Sequence, residues 1–417
     1  MKEKKNLILQ YFLLYLGISL GGMALPTYLS RFVGTDMVLI LTLLSSTFIV
    51  IKSRKKIVQT TEFLVYILTL FVFLCLVVFS SGLTLGTSLN CILILTLVYA
   101  TFLVNPTKIF IRFISLTFII SCISLLFFIP QYIVGINTYD SLFPYLMPSY
   151  SRNEIYSYGG FLYQFVFLHQ NRNCGPFGEP GEFQCILNVA LYFTLFIKGI
   201  GFTEKKRILY SLIFIATLIT AQSTSGYIGL SAIIIVFIFS KRKFSKKNQI
   251  RFLSMIGFLI IIFFVSGMFS DFIKTTIIDK FSYSAHQNSI ETLNSGQVRT
   301  ESIIGILNTI KNEPTTLWGI GYDEIQRRGL EGCAGILAQL VAIGILPFIL
   351  LWGYPIYKKI KHNYGKEDIL ISLFLVLNMG LGQPHILNTS LFIMLFHGWF
   401  NKIRKTHISH KLIKEND

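Results

Sequence analysis

Apolar runs, each about as long as a helix that crosses a bilayer, recur from the beginning of the 417-residue chain to its end. Short polar segments separate most of them, so the pattern predicts an all-α, polytopic membrane protein with about twelve transmembrane helices. No repeat and no separate soluble domain interrupts the pattern, and residues 1–417 are predicted to form one membrane domain. The predicted helices begin near Leu7, Met37, Glu62, Leu89, Lys108, Glu182, Ile208, Gly226, Phe252, Gly332, Ile369 and Ile386.

The basic residues lie mainly in alternate connections between these runs, in clusters at residues 52–56, 204–207, 241–247 and 358–361. Basic loops resist translocation, so we predict that these connections and both termini are cytoplasmic. The lipid bilayer is therefore the first partner expected. The formal net charge of +17 reflects this topology and does not predict binding of nucleic acid.

Composition and missing motifs narrow the classes of function. A mean hydropathy of +0.62 with 14% charged residues excludes a soluble globular protein of this length. The chain contains no Gly-x4-Gly-Lys-Ser/Thr loop, no His-Glu-x-x-His and no Asp-x-Asp pair, so no metal or nucleotide cofactor is expected. Ionisable residues are nearly absent from the middle of the predicted spans, which argues against an ion-coupled transporter.

Two connections on the predicted external side are long, and long loops usually serve a function. The first, at residues 130–181, is rich in tyrosine and phenylalanine. These rings have two interpretations, an aromatic belt at the membrane surface and a set of platforms that stack against sugar rings.

The second long loop, at residues 270–331, contains patterns typical of amphipathic helices. One helix is predicted from Gln297 to Asn312, where the apolar residues recur at helical spacing on one face. Another, predicted over residues 272–281, would lie on the membrane surface. The apolar face of the first helix consists of Ile303, Ile306 and Ile310.

The densest group of chemically active residues joins the first long loop to the sixth predicted helix. Three glycines and two prolines within residues 175–181 fix a tight backbone next to several charged and polar side chains. An arginine there suits phosphate oxygens, and a carboxylate held by a rigid turn suits a general base. The alternative is a helix-initiating turn with a surface ion pair. The candidates are His169, Asn171, Arg172, Glu179 and Glu182.

Further candidates lie in the later external connections. Arg299 is in the first turn of a predicted helix, where the backbone N–H groups favour anions, although a solvated surface charge is the more common interpretation. A turn at residues 222–226 offers hydroxyl donors, with Ser225 as the candidate, or forms only a tight helical hairpin. The remaining candidates follow a glycine-rich turn or end the last external connection, and they are Tyr322, Asp323 and His385.

In this order, the elements resemble the O-antigen polymerase and O-antigen ligase-like superfamily of bacterial envelope glycosyltransferases. The family pattern begins with an Arg-x-x-Gly-x-Phe-x-x-Pro element before a span and a Ser-Arg/Thr-Gly turn. A large external loop follows, with an Arg-bearing helix, a Pro-x-x-Gly-x-Gly turn and a His-Asn-x-x-Leu segment ahead of Gly-Ile-Leu-Gly. The corresponding residues here are Arg172 to Pro180, Ser223 to Gly226, Arg299, Pro314, Gly319 to Gly321 and Gly344 to Leu346.

The resemblance implies an all-helical enzyme that transfers glycans from a polyprenyl-diphosphate-linked oligosaccharide without a metal or nucleotide. In that framework Arg172 and Arg299 stabilise the diphosphate and a carboxylate activates the acceptor hydroxyl, with Glu179, Asp323 and Glu331 all eligible. The expected product is surface polysaccharide, either O-antigen, capsule or exopolysaccharide. A chain-length regulator and a flippase are the protein partners expected by analogy.

The chain departs from the pattern at two points, because Cys333 replaces the histidine of the ligases and Ser-Thr replaces Ser-Arg. The missing histidine favours a repeat-unit polymerase over a ligase that moves finished glycan onto a lipid or protein. A lipid-linked oligosaccharide flippase or other transporter is the alternative from another functional class. A purely structural membrane scaffold is the least favoured interpretation.

Overall fold

A computed structural model describes most of the chain and shows a protein built mainly of helices. It describes residues 2–20, 29, 33–53, 60–81, 85–135, 149–152, 155–160, 162–166, 169–197, 201–240, 244–267, 270, 295–313, 317–330, 335–362, 365–383 and 387–416.

In the described part of the chain, five helices precede a small sheet and the remaining helices follow it. The first five helices and the three strands are α1 (Lys2–Ser19), α2 (Thr35–Ser53), α3 (Thr60–Ser81), α4 (Leu85–Val104), α5 (Ile109–Val134), β1 (Ser149–Arg152), β2 (Ile155–Gly160) and β3 (Tyr163–Val166). The later helices are α6 (Pro180–Phe196), α7 (Glu204–Ala221), α8 (Thr224–Phe239), α9 (Lys246–Val265), α10 (Ser295–Asn312), α11 (Tyr322–Arg327), α12 (Gly335–Ile343), α13 (Ile345–Phe348), α14 (Tyr354–Lys361), α15 (Lys366–Gly382) and α16 (Thr389–Asn416).

The predominantly helical fold confirms the prediction in its main feature. Among the described residues, three helices are long and apolar enough to cross a membrane, over Thr61–Phe79, Ile109–Val134 and Lys246–Val265. Four further helices are apolar but shorter. Large apolar side chains are exposed at the ends of two of the long helices, for example Phe79 and Val265. Such faces are typical of contact with lipid, whereas the count of twelve spans stays a prediction.

The tenth predicted span is divided in the structure. Gly344, with a φ of 82°, separates α12 from α13, and a π-helical turn at Ile349–Gly353 connects α13 to α14. Such a φ ends a helix because an α-helix requires negative φ throughout. A continuous apolar run therefore forms three short helical pieces.

The first long loop contains an antiparallel sheet that was not predicted. Its strands follow the order β1-β2-β3, and Ser157 lies opposite Val166. Helix α5 also continues through Pro130 to Val134, so the connection begins later than predicted. The sheet packs onto the end of α5, where the Tyr163 hydroxyl donates to Gln131 Oε1 at 2.6 Å.

The central element of the bundle is α6, in which every residue from Pro180 to Phe196 is buried. Most of its side chains are apolar, and its buried amides Gln184 and Asn188 are hydrogen-bonded; its neighbours are α5, α7, α8, α15 and α16. The first turn of α6 follows the Arg172 element directly. The best-buried helix of the bundle therefore holds one end of the candidate site.

The predicted amphipathic helix of the second loop is present as α10. Ile306 is fully buried, and Ile303 and Ile310 pack against the core. A Cβ on Gly305 would clash with Leu330, so α10 lies close to the segment that follows α11. The surface helix predicted over residues 272–281 lies outside the described residues.

Candidate functional site

The segment from His169 to Glu179 forms a compact turn held by β3. The backbone N–H of Gln164 donates to the carbonyl of Gly175 at 2.7 Å, and its side-chain amide donates to the carbonyl of Pro176 at 2.9 Å. Gly175 has a φ of 55°, and a Cβ there would clash with the ring of Phe183. Only glycine fits this close approach to α6.

Asn173 fastens the turn to two helices. Its Nδ2 donates to Thr220 Oγ1 at 3.0 Å and to Ser124 Oγ at 3.3 Å, and its Oδ1 accepts the Gly175 N–H at 3.0 Å. Its own N–H donates to the Thr220 carbonyl at 2.9 Å. These bonds join the turn to the end of α7 and to α5.

Arg172 connects this turn to the beginning of α8. Its backbone N–H donates to the His169 carbonyl at 2.9 Å, and its Nη2 donates to the Gln222 carbonyl at the same distance. Among the described residues other than glycine, Gln222 alone has a positive φ, of 48°. This left-handed conformation ends α7. The first two elements of the predicted site, separated by many residues in sequence, are therefore adjacent in space.

Three predicted charges surround one buried thiol, that of Cys174. Burial raises the pKa of this thiol, the Arg172 charge opposes the shift, and the Glu179 and Glu182 carboxylates add to it. The two carboxylates differ in accessibility, because Glu179 is exposed and Glu182 is 7% exposed. Glu179 is the N-cap of α6, and its side chain makes no capping hydrogen bond.

The predicted hydroxyl donor Ser225 is surrounded by a cluster of side-chain amides that sequence reasoning missed. The Ser225 hydroxyl accepts hydrogen bonds from Gln184 at 3.1 Å and from Gln383 at 3.3 Å. Its carbonyl accepts from Asn378 at 2.7 Å, and Asn188 donates to Gln184 Oε1 at 2.9 Å. The helical spacing of Gln184 and Asn188 within an apolar span was the available indication.

Gln222 carries a second feature relevant to binding. Both polar atoms of its side chain are buried and make no hydrogen bond to another described residue. Buried amides are normally satisfied, so one in this state is suited to pair with a ligand hydroxyl or an ordered water.

Two helix N-termini meet next to Arg172. Helix α6 begins with Pro180 and α8 with Thr224, and a Cβ on Gly226 would approach Gln184 within 3.0 Å. The N-terminal ends of helices carry partial positive charge from unpaired N–H groups. The guanidinium of Arg172, the N-terminal end of α8 and the Glu179 and Glu182 carboxylates therefore lie in one region of the protein.

The glycines of the later elements also come together. Gly319 and Gly344 have φ values of 86° and 82°, and a Cβ on either would clash with backbone of the other segment. The N–H groups of Ile320 and Gly321 donate to the Val341 and Ala342 carbonyls, both at 3.0 Å. The Gly335 N–H donates to the Gln383 carbonyl at 2.9 Å, which joins α12 to the amide cluster.

Some of the remaining predicted residues are described by the structure, and others lie outside the described residues. His169 is half-buried and Asn171 is exposed in the turn. Burial raises the pKa of Tyr322, with Cys91 of α4 also contributing, and Asp323 is exposed on α11. Arg299 belongs to α10, but its side chain is outside the described residues, as are Glu331, Cys333 and His385.

The chain was compared with family models, with curated proteins and with solved structures, and none of the three comparisons finds a match.

Proposed function

We propose that this protein is a polymerase that joins polyprenyl-diphosphate-linked oligosaccharide repeat units into a surface polysaccharide. The observation that carries the proposal is the hydrogen bond from Arg172 to the Gln222 carbonyl, which places the guanidinium between the end of α7 and the beginning of α8. Positive charge from an arginine and a helix N-terminus suits a diphosphate. Two carboxylates near the same point suit proton transfer from a sugar hydroxyl.

The proposed reaction is a displacement at the anomeric carbon of the donor. The acceptor hydroxyl oxygen forms the new glycosidic bond while the bond from the anomeric carbon to the diphosphate breaks, and the diphosphate leaves with the electron pair. Arg172 and the N-terminal end of α8 stabilise the charge that develops on the leaving group. Glu179 accepts the hydroxyl proton, because its side chain is exposed and makes no capping hydrogen bond. Asp323, the other described candidate for the base, belongs to α11 and not to the turn that carries Arg172.

The location follows from the same proposal. The site would face the external side of the bacterial cytoplasmic membrane, with the termini and basic loops in the cytoplasm. Polymerisation there requires a flippase that delivers the lipid-linked units, and a chain-length regulator is the second expected partner. Three helices long enough to cross a membrane support the membrane setting.

The proposal is tested by electrophoresis of surface polysaccharide from cells that lack the gene and carry either the wild type or Arg172→Ala. We expect the wild type to restore a ladder of polymer and Arg172→Ala to leave single repeats. Arg328→Ala is the matched control, since Arg328 is exposed and its guanidinium is engaged in salt bridges with Glu313 and Glu324. Polymer that accumulates on its carrier lipid would identify a ligase, and an unchanged ladder would overturn both forms of the proposal.

A further inference from the structure

Gln222 combines two features that are unfavourable for the stability of the protein. Its φ of 48° lies in the left-handed region, which glycine adopts freely and residues with a Cβ disfavour. Its side chain is fully buried, yet neither Oε1 nor Nε2 makes a hydrogen bond to another described residue. In the described part of the chain, no other buried side chain leaves both a donor and an acceptor unpaired. Unfavourable features of this kind are concentrated at sites that bind ligands.

The hydrogen bond from Arg172 does not explain why this residue is a glutamine. The guanidinium donates to the backbone carbonyl of Gln222, which any residue would supply. Glycine is the usual residue at a left-handed helix end, and it would keep that carbonyl without burying an amide. The side chain of Gln222 therefore needs a separate explanation.

The unpaired amide restricts the chemistry of its partner. Nε2 needs an acceptor and Oε1 needs a donor, and both must be supplied at the same place. A phosphate group offers acceptors only, a metal cation binds oxygen only, and a hydrocarbon chain pairs with neither atom. Vicinal hydroxyls or an acetamido group, which are the polar groups of neutral sugars, satisfy both atoms of the amide.

The buried side chains that follow Gln222 are polar and uncharged. Ser223 Oγ lies 3.4 Å from Ser225 Oγ, and the Ser225 hydroxyl also accepts hydrogen bonds from Gln184 and Gln383. Hydroxyl and amide groups both donate and accept, so they are able to bind further hydroxyls of the same ligand. This composition suits a neutral sugar and not a lipid tail.

We propose that the Gln222 carboxamide binds the sugar attached to the diphosphate of the donor and selects a neutral sugar with vicinal hydroxyls or an acetamido group. The inference rests on the proposed function and adds a specificity-determining residue to it. The carbonyl of Gln222 fixes the Arg172 guanidinium, so the side chain of the same residue lies beside the diphosphate site. In the donor, a diphosphate has an isoprenoid on one side and a sugar on the other, and only the sugar pairs with an amide.

The test measures binding to the full chain in nanodiscs by isothermal titration calorimetry. The probes are a short-chain polyprenyl diphosphate without sugar and the same lipid with one N-acetylhexosamine. We expect the wild type to bind the sugar-bearing probe about tenfold more tightly, which corresponds to two hydrogen bonds.

Two substitutions of Gln222 remove the amide and keep the carbonyl that accepts from Arg172. In Gln222→Met the preference for the sugar-bearing probe should disappear, while the affinity for the sugar-free probe stays unchanged. The melting temperature should stay equal or rise, because methionine has a similar volume and leaves no amide unpaired. Gln222→Gly, which suits the left-handed φ, is the second variant and should lose the same preference.

Gln339→Met is the matched control. Gln339 is also buried, but its Oε1 accepts a hydrogen bond from Trp352 Nε1 at 2.7 Å. This variant should have a lower melting temperature and the wild-type preference for the sugar. Opposite responses of the two methionine variants distinguish an amide that binds a ligand from one that stabilises the fold.

A third probe with a single hexose identifies the sugar group. Weaker binding than that of the N-acetylhexosamine probe would support an acetamido group as the partner of Gln222, and equal binding would support hydroxyls. If the wild type binds the sugar-free and sugar-bearing probes equally, or if both Gln222 variants retain the preference, the inference is overturned and the amide binds an ordered water. Failure of the wild type to bind any probe would refute the proposed function, and the inference with it.

Discussion

Arg172 donates a hydrogen bond from Nη2 to the carbonyl oxygen of Gln222 at 2.9 Å, across 50 residues of sequence. The acceptor is in a left-handed conformation at the end of α7, so its carbonyl points away from the helix and toward the turn that carries the arginine. One charged bond thus joins the turn that precedes α6 to the end of α7. Bonds from a charged donor are stronger than neutral ones, which favours a fixed guanidinium.

This geometry predicts that lysine will not replace Arg172. A lysine keeps the charge but lacks the planar fork that binds a carbonyl and a phosphate at defined angles. We expect Arg172→Ala to lower the rate of polymerisation by about 10²–10³-fold and Arg172→Lys to recover only a small part of the loss. The measurement is the rate of polymer formation by purified protein from a lipid-linked repeat unit.

Arg328→Lys, on the exposed surface, serves as the control for a general effect of this substitution. Full activity of Arg172→Lys at normal expression would show that positive charge alone is sufficient and that the hydrogen bond to Gln222 has no part in the reaction.

Asn173 should be important for stability rather than for chemistry. In Asn173→Ala the Thr220 and Ser124 hydroxyls retain their own acceptors, Thr217 and Ser121, but the Gly175 N–H loses its partner. A buried donor without a partner costs about 1–3 kcal/mol, and we expect the free energy of unfolding in detergent to fall by that amount. Asn171→Ala, two residues away and exposed, should leave it unchanged. Equal stability of both variants would contradict this account of the turn.

The close contact between Gly319 and Gly344 can be tested by comparing three glycine-to-alanine substitutions. Gly319→Ala, Gly344→Ala and Gly329→Ala all place a side chain at positive φ, which costs about 1–2 kcal/mol. Only the first two also clash with backbone, whereas a Cβ on Gly329 meets nothing nearby. We therefore expect a much larger decrease in thermal stability for Gly319→Ala and Gly344→Ala. Three equal decreases would show that the two segments separate without cost.

The helices and the Arg172 turn could be predicted because their determinants are local in sequence. Apolar runs specify helices, and glycine and proline beside charged residues specify a fixed turn. The sheet was missed because its recognisable strand, Tyr163–Val166, is buried on both faces and shows no alternation of polar and apolar residues. The division of α12 from α13 depends on one glycine in an otherwise continuous run.

The amide cluster was missed for a different reason. Gln184, Ser225 and Gln383 belong to three segments that are far apart in sequence, so no local pattern shows that they are in contact. Their hydrogen bonds arise only when α6, α8 and α15 pack together. The position of Arg172 against Gln222 is equally non-local, so the sequence indicated the residue types and not their partners.

The last prediction concerns the far end of the bundle, where Lys359 and Asp368 form a buried ion pair at 2.9 Å. Lys359 also donates to the Tyr192 hydroxyl at 3.1 Å and to the Met394 carbonyl at 3.3 Å, so the pair joins α14, α15, α6 and α16. Removing one partner leaves a buried charge, and we expect Lys359→Met or Asp368→Leu to cost about 3–5 kcal/mol each. The double variant should cost much less than their sum, because no charge remains. Unfolding of all three in detergent gives the coupling energy, with Lys361→Met as an exposed control. Additive losses would show that the two charges stabilise the bundle independently.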